Sequence, residues 1–230
     1  YGTAIDAANK LVNNIKLENR QKGRNQKAVS GVCLLNKMFG RWDAILDSQP
    51  LASGTPYLDG IWHYCRGGAH IAEGNLSSAR RELGDIWRII SLKNIDDSRT
   101  GPTPVSSILR LAALALSAEI KQASGNLDSA IADYEAAIAI EDKNGYIEPP
   151  DWPQPIRHYL GAALLEAGRA AQAETVYRQD LAWHKNNGWA LFGLWQSLAA
   201  QGKSGEAKKV FNEFEHAWRN ADTQLVRSRM

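Results

Sequence analysis

Small and large apolar residues recur along this chain at fixed distances from a glycine that precedes a polar residue. These glycines are Gly2, Gly40, Gly74, Gly125, Gly168 and Gly202, followed in turn by Thr3, Arg41, Asn75, Asn126, Arg169 and Lys203. Five residues on stand Ala7, Ile45, Ala79, Ala130, Ala173 and Ala207. Nine residues on stand Leu11, Leu83, Tyr134, Tyr177 and Phe211, with Gln49 the exception. Seven residues before the glycine lie Cys33, Gly67, Ala118 and Gly161, and Trp195 departs from the rule. Residues four apart share a helix face, so each small residue and the large one after it line one stripe. A glycine ahead of such a stripe suits a helix end in left-handed backbone, where any other side chain costs energy. The pattern predicts helical hairpins that approach closely at the small residues and wedge at the large ones.

Helices are expected over 3–16, 26–39, 41–47, 58–73, 76–91, 104–124, 127–141, 154–167, 170–184, 188–201 and 204–219. The connections at 17–25, 48–57, 94–103 and 143–153 are rich in Pro, Gly, Ser and Asn, the usual loop residues. The expected class is all-α, a right-handed superhelical solenoid of stacked antiparallel hairpins in one domain over 1–230. It comprises a half hairpin over 1–16 and hairpins over about 26–47, 58–91, 104–141, 154–184 and 188–219. Gly2 sits at a turn position whose first helix would precede Tyr1. A repeat unit cannot bury its apolar face alone, so an N-terminal truncation, or a partner over that end, is expected.

The glycine spacings of 38, 34, 51, 43 and 34 residues scatter upward from a period of about 34. With the Ala-x-x-x-aromatic stripes, they make the chain resemble the tetratricopeptide repeat. The stretches Gly145-Tyr-Ile-Glu-Pro-Pro-Asp-Trp-Pro, Arg157-His-Tyr-Leu-Gly-Ala-Ala-Leu-Leu-Glu-Ala-Gly-Arg and Asn187-Gly-Trp-Ala-Leu-Phe-Gly-Leu are similar to the C-terminal end of a long bacterial family of such proteins. Gly40-Arg-Trp-Asp-Ala-Ile-Leu and Ile61-Trp-His-Tyr-Cys-Arg-Gly share that resemblance. It implies a scaffold that binds a protein or peptide, or neighbouring subunits of a larger complex, and it implies no reaction and no cofactor. Relatives of that kind commonly carry more repeats before this region, some with an export signal, which slightly favours a periplasmic address over a cytoplasmic one.

Composition narrows the classes further. With 44% hydrophobic residues in 230 the chain can bury a sizeable core, and 27 basic against 25 acidic residues argue against a nucleic-acid partner. No apolar run approaches the ~20 residues of a membrane-spanning helix, so a soluble chain is expected. Cys33 and Cys65 are too few for a disulfide framework, and Cys33 at a small-residue position reads as a buried, inert thiol.

No nucleophile elbow, phosphate-cradling glycine loop or His-Glu-x-x-His is present, so no catalytic residue is assigned and the chain is read as a non-enzyme. His63 and His70 lie two helical turns apart on one face, a weak metal candidate beside a packing role. The pairs Asp96-Asp97 and Glu141-Asp142 read as solvated, as does the basic connection Lys16, Arg20, Lys22, Arg24 and Lys27. First helices of stacked hairpins line the inner surface, which places Lys27, Ser30, Lys37, Tyr64, Glu119, Gln122, His158, Trp189, Phe192 and Gln196 in a partner-binding groove. Eight Trp suit such a role, since Trp, Tyr and Arg anchor interfaces.

The connection 143–152 carries charges at unfavourable helix ends. Glu141 and Asp142 close one helix at its negative end, while Arg157 and His158 open the next at its positive end. The loop is therefore expected to fold back so that Arg157 reaches an acid and Trp152 covers the joint.

Overall fold

The computed structural model describes residues 1–51, 54–145 and 147–229; Ala52, Ser53 and Tyr146 of the expected connections lie outside the described residues. The described residues form eleven α-helices and no strand. They are α1 Gly2–Asn13, α2 Asn25–Met38, α3 Trp42–Leu46, α4 Pro56–Ala72, α5 Leu76–Ile90, α6 Val105–Ala123, α7 Leu127–Asn144, α8 Ile156–Glu166, α9 Ala170–Trp183, α10 Gly188–Ala200 and α11 Ser204–Trp218. None of these helices is long and apolar enough to cross a membrane.

Each expected helix is present, and the turns are built as their residues require. Gly40, Gly74, Gly125, Gly168 and Gly202 all hold φ between 65° and 78°, the left-handed region open to glycine. Asn75 and Asn126 follow two of them and cap the next helix, accepting from the Ser78 and Ser129 amides. Gly2 differs, since it lies inside α1 and not in a turn.

Helices pack in consecutive pairs, α4 on α5, α6 on α7, α8 on α9 and α10 on α11. Successive pairs dock through α5–α6, α7–α8 and α9–α10, while α2, α4 and α6 touch in series and α10 reaches α8. The helix α6 is buried over most of its surface, whereas α7 buries only Ala130, Ile131, Tyr134 and Ala137. That division separates apolar helices from amphipathic ones.

Glycine and alanine set the helix spacing. A Cβ at Gly60 or Gly67 of α4 would lie within 3.0 Å of Leu109 or Leu116 of α6, so two glycines one heptad apart admit two leucines one heptad apart. Ala130 and Ala173 are fully buried and Ala207 is 6% exposed. Enlarging any of the three to Leu should overpack its hairpin and lower stability by about 1–3 kcal/mol. Unchanged melting temperatures in all three variants would contradict this packing.

Candidate functional site

The inner row brings residues from five helices together. Lys37 of α2 extends along Gly68 and places its Nζ 3.0 and 2.8 Å from the two carboxylate oxygens of Glu119 on α6. The same ammonium lies 4.5 Å from the centre of the Tyr64 ring on α4, a cation–π contact. Burial alone would lower the Lys37 pKa, but Glu119, with smaller help from Tyr159 and Cys65, holds it above the ordinary value. Burial pushes the Tyr64 and Tyr159 hydroxyls up, so both stay protonated.

The segment 221–229, after α11, runs without helix into this row. The Trp218 indole donates to the Thr223 carbonyl at 2.6 Å, and Gln196 of α10 donates to the Val226 carbonyl at 3.2 Å. Ser228 is fully buried, and its hydroxyl donates to the His158 carbonyl at 2.9 Å while lying 2.6 Å from the Tyr177 hydroxyl. Arg229 donates to the Gln122 side-chain oxygen at 2.9 Å, lies 3.8 Å from Glu119 and stacks 5.5 Å from the Tyr159 ring centre. Gln122 is held in turn by Tyr134, which donates to it, and by Glu166, which accepts from it at 2.6 Å.

The sequence-expected groove therefore divides. Lys37, Tyr64, Glu119, Gln122, His158 and Gln196 meet in the inner row, but within the chain they already have partners, so they are no open groove. The reason is proximity across the fold: Lys37 and Glu119 are 82 residues apart, and no helical spacing reveals their pairing. Lys27 is not solvated, since it forms an ion pair with Asp151 at 2.6 Å, and Ser30 is spent on the Tyr57 hydroxyl. Trp189 and Phe192 belong to an aromatic cluster, with Trp189 5.6 Å from Phe39 and 4.6 Å from Trp218, and Phe192 5.1 Å from Phe214. Through Phe39, this cluster ties the end of α2 to α10. Ser228 and Arg229 were missed because they follow the last glycine-based repeat, where no apolar period points inward.

The loop after α7 folds back as its charges require. Arg157 donates to both Asp142 oxygens at 2.8 Å, and Glu141 accepts from the Ile156 amide at 3.4 and 3.2 Å, capping α8. The helix α7 runs to Asn144, past the expected end at 141, which brings both acids within reach. The solvated reading is thus corrected for Glu141, while Asp142 keeps a 54% exposed side chain as it pairs with Arg157. Trp152 is buried, its ring 5.0 Å from Tyr64. His158 turns instead to Asp180, which also accepts from His184, both at 2.9 Å. Burial would raise the Asp180 pKa, but the two histidines hold it below the ordinary range. A cavity of about 340 Å³ lies here, lined by Leu111, Trp152, Trp183, Glu141, Asp180 and His184 among others.

Burial pushes the Glu141 carboxyl from 4.5 up to about 7, against the lowering pull of the Ile156 amide and Arg157. The native state then binds this proton more tightly than the unfolded chain. The resulting stability is fully present below pH 4.5 and is lost as pH rises to about 7. Glu141→Gln keeps an acceptor for Ile156 and should abolish a loss on the order of 2 kcal/mol between pH 5 and 8. Parallel melting curves for both proteins across that window would contradict the assignment.

Both cysteines are free and buried. His63 and His70 both approach Glu82, with His63 Nδ1 at 2.6 Å and His70 Nε2 at 3.6 Å from its oxygens. His63, Glu82 and Asp85 have ligand atoms within 4.8 Å of one another, and His70 stands outside that group. Arg66 donates to the same Glu82 at 3.0 Å and already supplies a positive charge there. No family model, no curated protein and no solved structure matches the chain.

Proposed function

We propose that this chain is a non-catalytic scaffold of the tetratricopeptide kind, its hairpins stacked in a right-handed superhelix, whose inner row holds an extended peptide segment of another protein. The observation that carries this reading is the segment 221–229. The inner row grips a non-helical stretch through a main-chain carbonyl, a hydroxyl and a guanidinium, the contacts peptide-binding surfaces use. Panning a displayed library of linear peptides against the full chain should enrich binders that slow amide exchange around Gln122, His158 and Gln196. No enrichment over an albumin control, or protection confined to other helices, would end the reading.

A small-ligand or metal role is the rival, favoured by the cavity at the acidic Pro-rich loop and by the His63, Glu82 and Asp85 group. Elemental analysis of the purified protein separates the two, since a stoichiometric transition metal would support the rival.

A further inference from the structure

We infer that the inner row selects an extended segment in which serine is followed by arginine, that Ser228 and Arg229 fill this site in cis, and that a Ser-Arg segment of another protein enters by displacing them. This inference rests on the peptide-scaffold reading above and names the ligand class of that site.

The serine position is defined on every side. The Tyr177 ring, fully buried, is wedged between α8 and α10, where a Cβ at either Gly161 or Gly193 would collide with it. Its hydroxyl therefore has a fixed place, 2.6 Å from the Ser228 oxygen. That oxygen's own proton goes to the His158 carbonyl. One hydroxyl thus accepts from one immobile group and donates to another, a pairing that alanine cannot make. Leaving such buried groups unpaired is unfavourable, which gives the site its discrimination.

The arginine position is defined by charge and shape. The fixed charges around it are Lys37 against Glu119 and Glu166, so one further cation brings them to balance. The guanidinium lies over Tyr159 and spreads its nitrogens between two groups, Nη2 donating to Gln122 and Nη1 3.8 Å from Glu119, a planar fork that the single point charge of an ammonium does not reproduce. The neighbouring residues contribute less. Val226 is 73% exposed and offers its carbonyl to Gln196, so its side chain is free to vary, whereas Leu225 before it packs against the core.

Residues 219–227 tether the occupant to α11, which gives it an effective concentration on the order of mM. A free peptide making the same contacts must compete with it. Arg229→Ala removes the competitor's main anchor and leaves every groove residue intact.

The test uses the full chain and a fluorescent Leu-Val-Arg-Ser-Arg peptide, blocked at both ends, followed by anisotropy. The peptide should bind the Arg229→Ala protein at least about tenfold more tightly than the wild type. Replacing its Ser-Arg by Ala-Ala, or its final Arg by Lys, should weaken binding by at least about tenfold. Should Arg229→Ala fail to fold, amide exchange on the wild type decides, because saturating peptide should speed exchange at 226–228. Equal affinity for both proteins, or exchange at 226–228 unmoved by bound peptide, would overturn the cis block. Equal binding of the Ala-Ala peptide would overturn the selectivity and leave the scaffold reading standing, whereas no peptide binding to either protein would remove both. A wild-type chain that dimerises with rising concentration through exchanged segments would also overturn occupation in cis.

Discussion

Gly161→Ala and Gly193→Ala should each lower stability by about 3 kcal/mol, although alanine is the better helix former. On propensity alone, either change would gain close to 1 kcal/mol. The new methyl, however, would stand within 3.0 Å of the Tyr177 ring, which has no exposed surface and cannot swing away. Overpacking then outweighs propensity. For a chain of this length the loss corresponds to a melting temperature lower by roughly 6–12 °C. Gly84→Ala is the control, since nothing lies within 4 Å of its Cβ, and it should raise stability by about 0.5–1 kcal/mol. A double-mutant cycle isolates the cause: once Tyr177→Ala is present, the second alanine should be nearly neutral. Equal losses with and without Tyr177 would place the strain elsewhere.

Lys37→Met should be as damaging or more, at about 3–5 kcal/mol. The side chains of Lys37 and Glu119 are 3% and 4% exposed, so neither charge has water to fall back on. Methionine fills much of the lysine stem's volume beside Gly68, which leaves the orphaned carboxylate as the dominant loss. Arg229, at 3.8 Å, is a poor substitute. Adding Glu119→Gln should restore more than half of the stability, because it removes the uncompensated charge. A double variant no better than Lys37→Met would show that packing, not charge, is at stake. The pH dependence offers a second check. Because the folded pKa of Lys37 is raised, its contribution is fully present below 10.5 and is lost only as pH rises through the folded value. The cost of Lys37→Met should therefore be the same at pH 6 and pH 9. This contrasts with Glu141, whose contribution changes in the acid to neutral range.

The helices and turns were legible in the sequence because their causes are local. A left-handed glycine, an Asn cap and an alanine four residues before an aromatic each act within one or two helical turns. They place all eleven helices to within a few residues. The fold-back of the 143–153 connection was legible for a related reason, since the charges of Glu141, Asp142 and Arg157 are set against helix dipoles whose direction follows from the helices themselves. That Arg157 reaches an acid follows from those charges, whereas its choice of Asp142 depends on α7 running to Asn144.

What the inner residues bond to was not legible. Position on a first helix puts Lys37, Glu119, Gln122 and His158 on the inner side, and goes no further. Whether such residues form an open groove or satisfy one another depends on how helices far apart in the chain pack together. That packing brings Lys37 of α2 to Glu119 of α6 and Phe39 to Trp189, contacts between residues 82 and 150 apart that no periodic signal encodes. The segment 221–229 was invisible for the opposite reason. It has no repeat and little apolar character, so its place depends on a site assembled by four other helices. Which residues turn and which face inward follows from local backbone preference and helical period. The tertiary structure alone decided which charges pair and what fills the interior, because those energies exist only once distant helices exclude the water between them.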